Sequence, residues 1–372
     1  MKKEGAVKFI SAVSMLSGTI IGVGLFSLPY ITLKVGFWTT VVYFFVLGIL
    51  AILVHQIFGQ VALYTPDLKR LPGFAKYHLG KRAERVALFS SALGLLGAIL
   101  AYLIVGGEFL KDLFPTLFFN ESVSVLFYWL AGTVLIYFGI RAVAKIELIG
   151  VFLFFLVLFF IFIESKSLIQ SENLFLGQQL FKENFFFPYG PILFSLWGAA
   201  LIPEIEEMLR KKKQLLKKVI FASILMAICF YLFFIYLVLG ILGENTTEYA
   251  LPTLKNVLDP WLFSFLLLLG ILTTFTSFVP LGLTLKKILY FDLKIPPKTS
   301  FFITCFLPLF LYFIGIKKFI PVISFVGGIT LAIDGILILL MYNKIKPKRK
   351  FLVLPLIFIF LGGIIYSLIY LI

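Results

Sequence analysis

Three glycines, Gly18, Gly22 and Gly24, and a closing Pro29 interrupt an apolar run from about residue 8 to residue 33. The run is long enough to cross a bilayer, yet glycine and proline are the residues that weaken a helix most. An unpaired backbone N–H or C=O in lipid costs several kcal/mol, so unwound chain at mid-membrane persists only where it is buried in protein or lines a polar cavity. Gly22-Val23-Gly24 therefore reads as a helix break whose freed N–H groups can hold an anion and whose freed carbonyls can hold a cation. Gly18 and Gly22 also form a GxxxG pair, which would let two unbroken helices pack closely, so on this stretch alone both readings stand.

A second stretch carries the same punctuation. Between Phe187 and Glu204 the chain places Pro188, Gly190 and Pro191, then Trp197-Gly198-Ala199-Ala200, then Pro203. Pro203 suits the start of a new half-helix, and Glu204, Glu206 and Glu207 fall in its first turn, where the helix dipole favours negative charge. Paired interruptions in two halves of a chain point to a transporter binding site, which favours breakage over simple packing at both places.

These residues must be positioned by membrane-spanning helices. With 61% hydrophobic and 14% charged residues and a mean hydropathy of +1.07, the 372-residue chain is read as an all-α polytopic membrane protein, not a soluble one. Eleven spans are expected, at about 8–33, 38–64, 86–110, 123–140, 145–163, 186–209, 216–242, 260–287, 299–314, 319–342 and 351–371. The net charge of +15 sits in short connections, which excludes a nucleic-acid partner in favour of a membrane topology signal. Of the 33 Lys and Arg, 26 fall on one face and seven on the other. That bias predicts a multi-pass protein of the cell membrane with its N-terminus in the cytoplasm and, after eleven spans, its C-terminus outside. The opening Met1-Lys2-Lys3 imitates a signal peptide, but the apolar run after it is too long and lacks a cleavage pattern, so it is expected to remain as the first span.

Residues 8–165 and 185–342 each hold five spans in nearly equal length. Because five is odd, two consecutive blocks must cross in opposite senses. The expected architecture is a five-plus-five inverted repeat with broken first and sixth spans, plus an extra eleventh span at 351–371. Cys229 and Cys305 lie singly in apolar spans and read as small core residues.

Gly18-Thr19-Ile20-Ile21-Gly22-Val23-Gly24-Leu25-Phe26-Ser27-Leu28-Pro29-Tyr30 resembles the first-span signature of the amino acid/auxin permease family and its bacterial aromatic amino acid permease relatives, within the amino acid-polyamine-organocation superfamily. The similarity continues at Ala101-Tyr102-Leu103-Ile104, at Lys145-Ile146-Glu147-Leu148, at Ile202-Pro203-Glu204-Ile205 and at Thr276-Ser277-Phe278-Val279-Pro280. The resemblance implies alternating access and uptake of an amino acid driven by a Na+ or H+ gradient. It maps the substrate carboxylate onto the N–H groups of Val23 and Gly24 beside Gly22, and the amino group onto carbonyls of Trp197, Gly198 and Ala199. Phe194 falls where relatives place an aromatic gate, and Tyr102 would offer a hydroxyl to the substrate.

In sodium-coupled members of this fold the cation sits between first-span carbonyls and small hydroxyl residues of span eight. That pattern maps onto Gly18 and Ile21 and onto Thr273, Thr276 and Ser277, which share one helical face. The hydroxyls could equally bond to their own backbone. Some proton-coupled relatives place a lysine in span five, and 148–163 has none, which tilts the expectation towards sodium. His55 and Asp334 sit deep enough to relay a proton, with a neutral packed histidine an equal reading of His55, whereas Glu108, Glu147 and Glu204 lie near span ends, where ion pairs are the expected role.

The lack of Arg, Lys or Asp within the two broken stretches suits a neutral amino acid, possible aromatic or large side chains included. The alternative on the same fold is an amino acid-sensing receptor, a nutrient sensor or germinant receptor subunit, without productive transport. No cofactor is expected beyond the coupling ion. With two His residues and no acidic pair within one span, an enzyme is disfavoured.

Overall fold

The computed structural model describes residues 2–66, 69–139, 143–180, 185–209 and 212–371. Arg210 and Lys211, part of a basic run assigned to the cytoplasm, and the side chain of Glu147 lie outside what is described. The elements among the described residues are helical throughout: helices occupy each of the eleven stretches the sequence names, and seven of them, eight with the bent first pair, are long and apolar enough to cross a membrane.

The first span is Lys2–Ile20, then a 3-10 segment Val23–Ser27, then Leu28–Val35. Spans two to five are Phe37–Tyr64, Lys81–Leu113, Glu121–Phe138 and Val143–Ser165. The sixth is split into Tyr189–Ser195, a 3-10 turn Ala199–Leu201, and Ile202–Met208. Spans seven to nine are Leu216–Leu242, Pro260–Lys287 and Pro297–Phe313. The tenth is Phe319–Phe325 and Ala332–Ile345 joined by a π-helical turn, Val326–Leu331, and the eleventh is Lys350–Leu371.

Both interruptions follow from residue type. Gly22 takes φ −112°, ψ −155°, an extended conformation that ends the first half-helix, and the two parts of the span are bent by 49°. Pro29 then stands in the first turn of the second part, where its missing N–H has no partner to lose. In the sixth span Gly198 leaves the helix at φ −130°, ψ 16°, and Pro203 opens the half-helix that carries Glu204 in its first turn.

Two features depart from the sequence reading. Span three starts earlier than 86, because Gly80 adopts φ +93° and lets the chain turn directly from a short surface helix, Leu71–Leu79, into it. Span ten is not a plain helix. Gly327-Gly328 widens it into the π turn, a form often found at functional sites.

Aromatic packing ties spans one, three, five and seven together. Fully buried Phe26, just past the first break, meets Phe109, Phe154 and Phe234 edge-on at 4.8, 6.0 and 6.1 Å. The eleventh span is not peripheral, since fully buried Phe360 reaches within 6.3 Å of Trp197 at the sixth break.

Candidate functional site

The two breaks are brought together by close approach of backbone and side chain. A Cβ added at Gly24 would run into the Ser195 hydroxyl and lie 3.1 Å from the Phe194 ring, and one added at Gly22 would strike the Tyr102 hydroxyl. Glycine at these two places is thus what allows spans one, three and six to touch.

A cavity of about 270 Å³ opens where they meet. Its wall includes Gly22, Gly24, Tyr102, Phe194, Trp197, Gly198 and Ala199, so seven of the eight residues expected to hold the substrate share it. Val23, the eighth, is fully buried beside them. From there the cavity runs past Ser91, Asp334 and Ile338 to Arg70, Pro72 and Glu204, towards the face that carries most of the Lys and Arg. Arg70 and Glu204 lie 3.7 Å apart at that end as an ion pair. Phe26, Phe109, Phe154 and Phe234 pack on one another beyond Gly24 and are not among the residues of the cavity wall.

Each break has one N–H tied to a neutral side chain. Val23 N–H donates to the Tyr102 hydroxyl oxygen at 3.1 Å. Gly198 N–H donates to His55 Nε2 at 2.9 Å, while His55 Nδ1 lies 2.6 Å from the Ala51 carbonyl. A carbonyl only accepts, so Nδ1 carries the proton, Nε2 is a bare acceptor, and the imidazole is neutral. His55 is therefore a fixed partner of the sixth break, packed edge-on to Trp197 at 5.2 Å. Of the two readings of His55, its bonding is that of the neutral packed histidine.

The carbonyl ends also converge. Tyr231 of span seven places its hydroxyl 2.7 Å from both the Ile20 and the Ser195 carbonyl, the ends of the two leading half-helices, and its one proton serves them in turn. Ser27 donates to the Gly24 carbonyl at 2.8 Å, and Ser195 to that of Pro191 at 2.8 Å. Sequence reasoning missed Tyr231; a tyrosine in an apolar span carries no signal of its long-range partners.

The residues mapped to a cation are less closely gathered. Gly18 and Ile21 are buried at the end of the first half-helix. Thr273 donates to the Leu269 carbonyl at 2.8 Å and Thr276 to that of Thr273 at 3.1 Å, the backbone bonding that hydroxyls in spanning helices commonly adopt. Ser277 alone of the three reaches the cavity wall, with its hydroxyl oxygen buried and unpartnered.

Asp334, nine-tenths buried, accepts hydrogen bonds from Ser90 and from Ser91, the latter at 3.4 Å. Near the span ends Lys111 donates to both oxygens of Glu108, at 3.0 and 3.1 Å, so Glu108 and Glu204 are the interfacial ion pairs expected of them.

Comparison with known proteins places this arrangement. The profile of the tryptophan/tyrosine permease family matches residues 6–370. The tyrosine-specific transport system 1 of Haemophilus influenzae is 27% identical over 249 residues, which cover 64% of this chain. The match spans 59% of that relative's own length. Among solved structures, MhsT in complex with L-phenylalanine superposes with a TM-score of 0.74 at 14% identity, covering 97% of this chain and 98% of that one. The inward facing conformation of Mhp1 gives 0.71 at 13% identity, over 98% and 89% of the two chains. Mhp1 closed on bromovinylhydantoin gives 0.67 at 14% identity, over 88% and 76%. At such identities the likeness is one of fold, and it is the inverted-repeat fold with two broken helices. The family match falls on the aromatic permeases within the wider resemblance drawn from the sequence.

Proposed function

We propose, for a chain that belongs to the tryptophan/tyrosine permease family, that it is a secondary active transporter taking up a neutral amino acid with an aromatic or large side chain by alternating access. The observation that carries this reading is the convergence of two interrupted helices on one cavity. There main-chain N–H and C=O ends supply opposite partial charges a short distance apart. A zwitterion needs such a pair, and half-helix ends provide it without burying formal charge.

The carboxylate is assigned to the first break, at the N–H groups of Val23 and Gly24, with the Tyr102 hydroxyl beside them. The amino group is assigned to the carbonyl side around Trp197-Gly198-Ala199, and Phe194 stands between the breaks as the gate. An aromatic cargo is supported by the family and by two relatives, one a tyrosine-specific transport system and the other seen with L-phenylalanine. Because the cavity runs from the two breaks to Arg70, Pro72 and Glu204 on the basic face, the conformation is assigned as inward-facing. The N-terminus then lies in the cytoplasm of a cell whose plasma membrane holds the protein, with the C-terminus outside.

Uptake is driven by a cation gradient. The experiment is uptake of radiolabelled L-tyrosine, L-tryptophan and L-phenylalanine by purified protein in liposomes, with imposed sodium or pH gradients. Gradient-driven accumulation of at least one of them is expected. Saturable binding with no accumulation under either gradient would mean a receptor on this fold instead.

A further inference from the structure

Asp334 lies one turn beyond the π-helical segment of span ten, and its carboxylate is one of the few formal charges buried within the bundle. It lines the central cavity together with Ser91. Among the described residues no Lys, Arg or His forms an ion pair with it. A buried carboxylate without a cation is costly, and such a group in a membrane protein is a functional candidate rather than a structural convenience.

The bonding around it accommodates two protonation states. The Ser90 hydroxyl has a single proton and two acceptors in reach, Asp334 Oδ1 in direct contact and the Ala87 carbonyl at 3.3 Å. When Asp334 is ionised, Ser90 and Ser91 both donate to it. When Asp334 takes a proton from water in the cavity, its O–H can donate to Ser90 Oγ, and the Ser90 proton turns to Ala87. Neither state leaves a polar group of the pair unsatisfied.

None of the described charged groups on the elements around Asp334 forms an ion pair with it. His55 of span two is neutral and bonded to Gly198. On the short helix Leu71–Leu79, Lys76 pairs with Glu84 at 2.9 Å and His78 bonds Thr65 at 2.9 Å. Lys81, Arg82 and Arg85 of span three precede Ser90 at its basic end. On Asp334's own helix Lys346 donates to Gln60 at 3.3 Å, and Lys344 lies in the last turn. Span eleven contributes Lys350 at its start and Tyr366. Across the cavity Arg70 and Glu204 face each other.

A mechanical link to the substrate grip exists. In the π turn, a Cβ added at Gly327 would strike the Gly190 carbonyl and lie 2.9 Å from the Phe194 nitrogen, and one added at Gly190 would lie 2.6 Å from the Ser324 carbonyl. The helix bearing Asp334 is thus packed backbone to backbone against the half-helix bearing Phe194 and Ser195.

We propose that Asp334 binds the proton that drives uptake, held between the hydroxyls of Ser90 and Ser91 and coupled to the sixth break through the Gly190–Gly327 contact. This rests on the transport reading above. The test uses the full-length protein in liposomes with radiolabelled L-tyrosine as probe. An inside-alkaline gradient of about one pH unit is worth about tenfold accumulation for one proton per substrate. The unaltered protein is expected to reach a large part of it.

Asp334→Asn keeps the shape and the serine bonds but cannot ionise, and is expected to lose gradient-driven accumulation while still exchanging labelled for unlabelled tyrosine at a measurable rate. A purely structural aspartate would be replaced by Asn without loss, so accumulation by that variant overturns the inference. Accumulation by the unaltered protein that follows a sodium gradient and ignores pH also overturns it, and leaves the transport reading intact. Absence of binding and exchange for all three aromatic amino acids overturns both. If Asp334→Asn does not fold, Ser90→Ala decides: losing a donor to the ionised form shifts the pH dependence of uptake to higher pH, and an unshifted profile counts against the proton site.

Discussion

The two breaks are built alike and secured differently. In both, a half-helix ends in carbonyls near Tyr231, and one freed N–H finds a neutral acceptor. At the first break the acceptor is Tyr102, which stands on the cavity wall, so an incoming carboxylate can replace its oxygen at Val23 N–H. At the sixth the acceptor is His55, fully buried behind Trp197 and held at both ring nitrogens, so nothing arriving in the cavity can take its place. A repeated fold can therefore hold one break ready for exchange with a ligand and keep its counterpart as a permanent joint. The feature that separates them is the solvent access of the capping group, not the break itself.

The comparison is broken most severely at Gly24. Gly24→Leu should reduce uptake by about a hundredfold or more, equivalent to roughly 3 kcal/mol of carboxylate binding. The structure adds a second effect that the sequence does not show. The new side chain also meets Ser195 and Phe194, so the melting temperature should fall as well. Retained uptake would show that the carboxylate is held elsewhere.

His55 and Tyr102 sharpen the contrast. His55→Leu leaves the Gly198 N–H buried without an acceptor, a cost of about 1–3 kcal/mol, which should appear as a lower melting temperature together with weakened uptake. His55→Gln, whose side-chain carbonyl can accept the same bond, should recover part of both. Tyr102→Phe also removes an acceptor, that of Val23 N–H, but one on the cavity wall where water can take its place, so it should lower the melting temperature less than His55→Leu does and weaken the apparent affinity for the amino acid by about fivefold, or roughly 1 kcal/mol, because the hydroxyl no longer serves the carboxylate. If Tyr102→Phe destabilises the protein more than His55→Leu does, the assignment of exchangeable and permanent caps is reversed.

What could be read in the sequence was what local chemistry announces. Glycine and proline mark both breaks because they act within a few residues, and the helices long and apolar enough to cross a membrane follow from apolar run length. The caps could not be read. Tyr102 and Val23 are 79 residues apart, His55 and Gly198 are 143 apart, and Ser90 and Asp334 are 244 apart. No periodicity connects them. Gly327-Gly328 was equally silent, since two glycines in a spanning helix announce close packing and only the partner, Gly190, shows why the turn widens.

The smallest effect is expected at the hydroxyls of span eight, where the sequence reading favoured a sodium ion. Thr276→Ala with Ser277→Ala removes one bond within the helix's own turn and one hydroxyl whose oxygen has no partner, so little packing or bonding is lost. If protons enter through Asp334, tyrosine accumulation under a pH gradient should stay within about twofold of the unaltered protein, a difference below roughly 0.5 kcal/mol. The measurement matters because both cation routes end on the same cavity wall, Ser277 from span eight and Asp334 from span ten. A sodium-dependent uptake that disappears in the double variant would move the coupling ion to the Gly18 and Ile21 carbonyls and make the first break the holder of both solutes. The sixth would then serve as the joint alone.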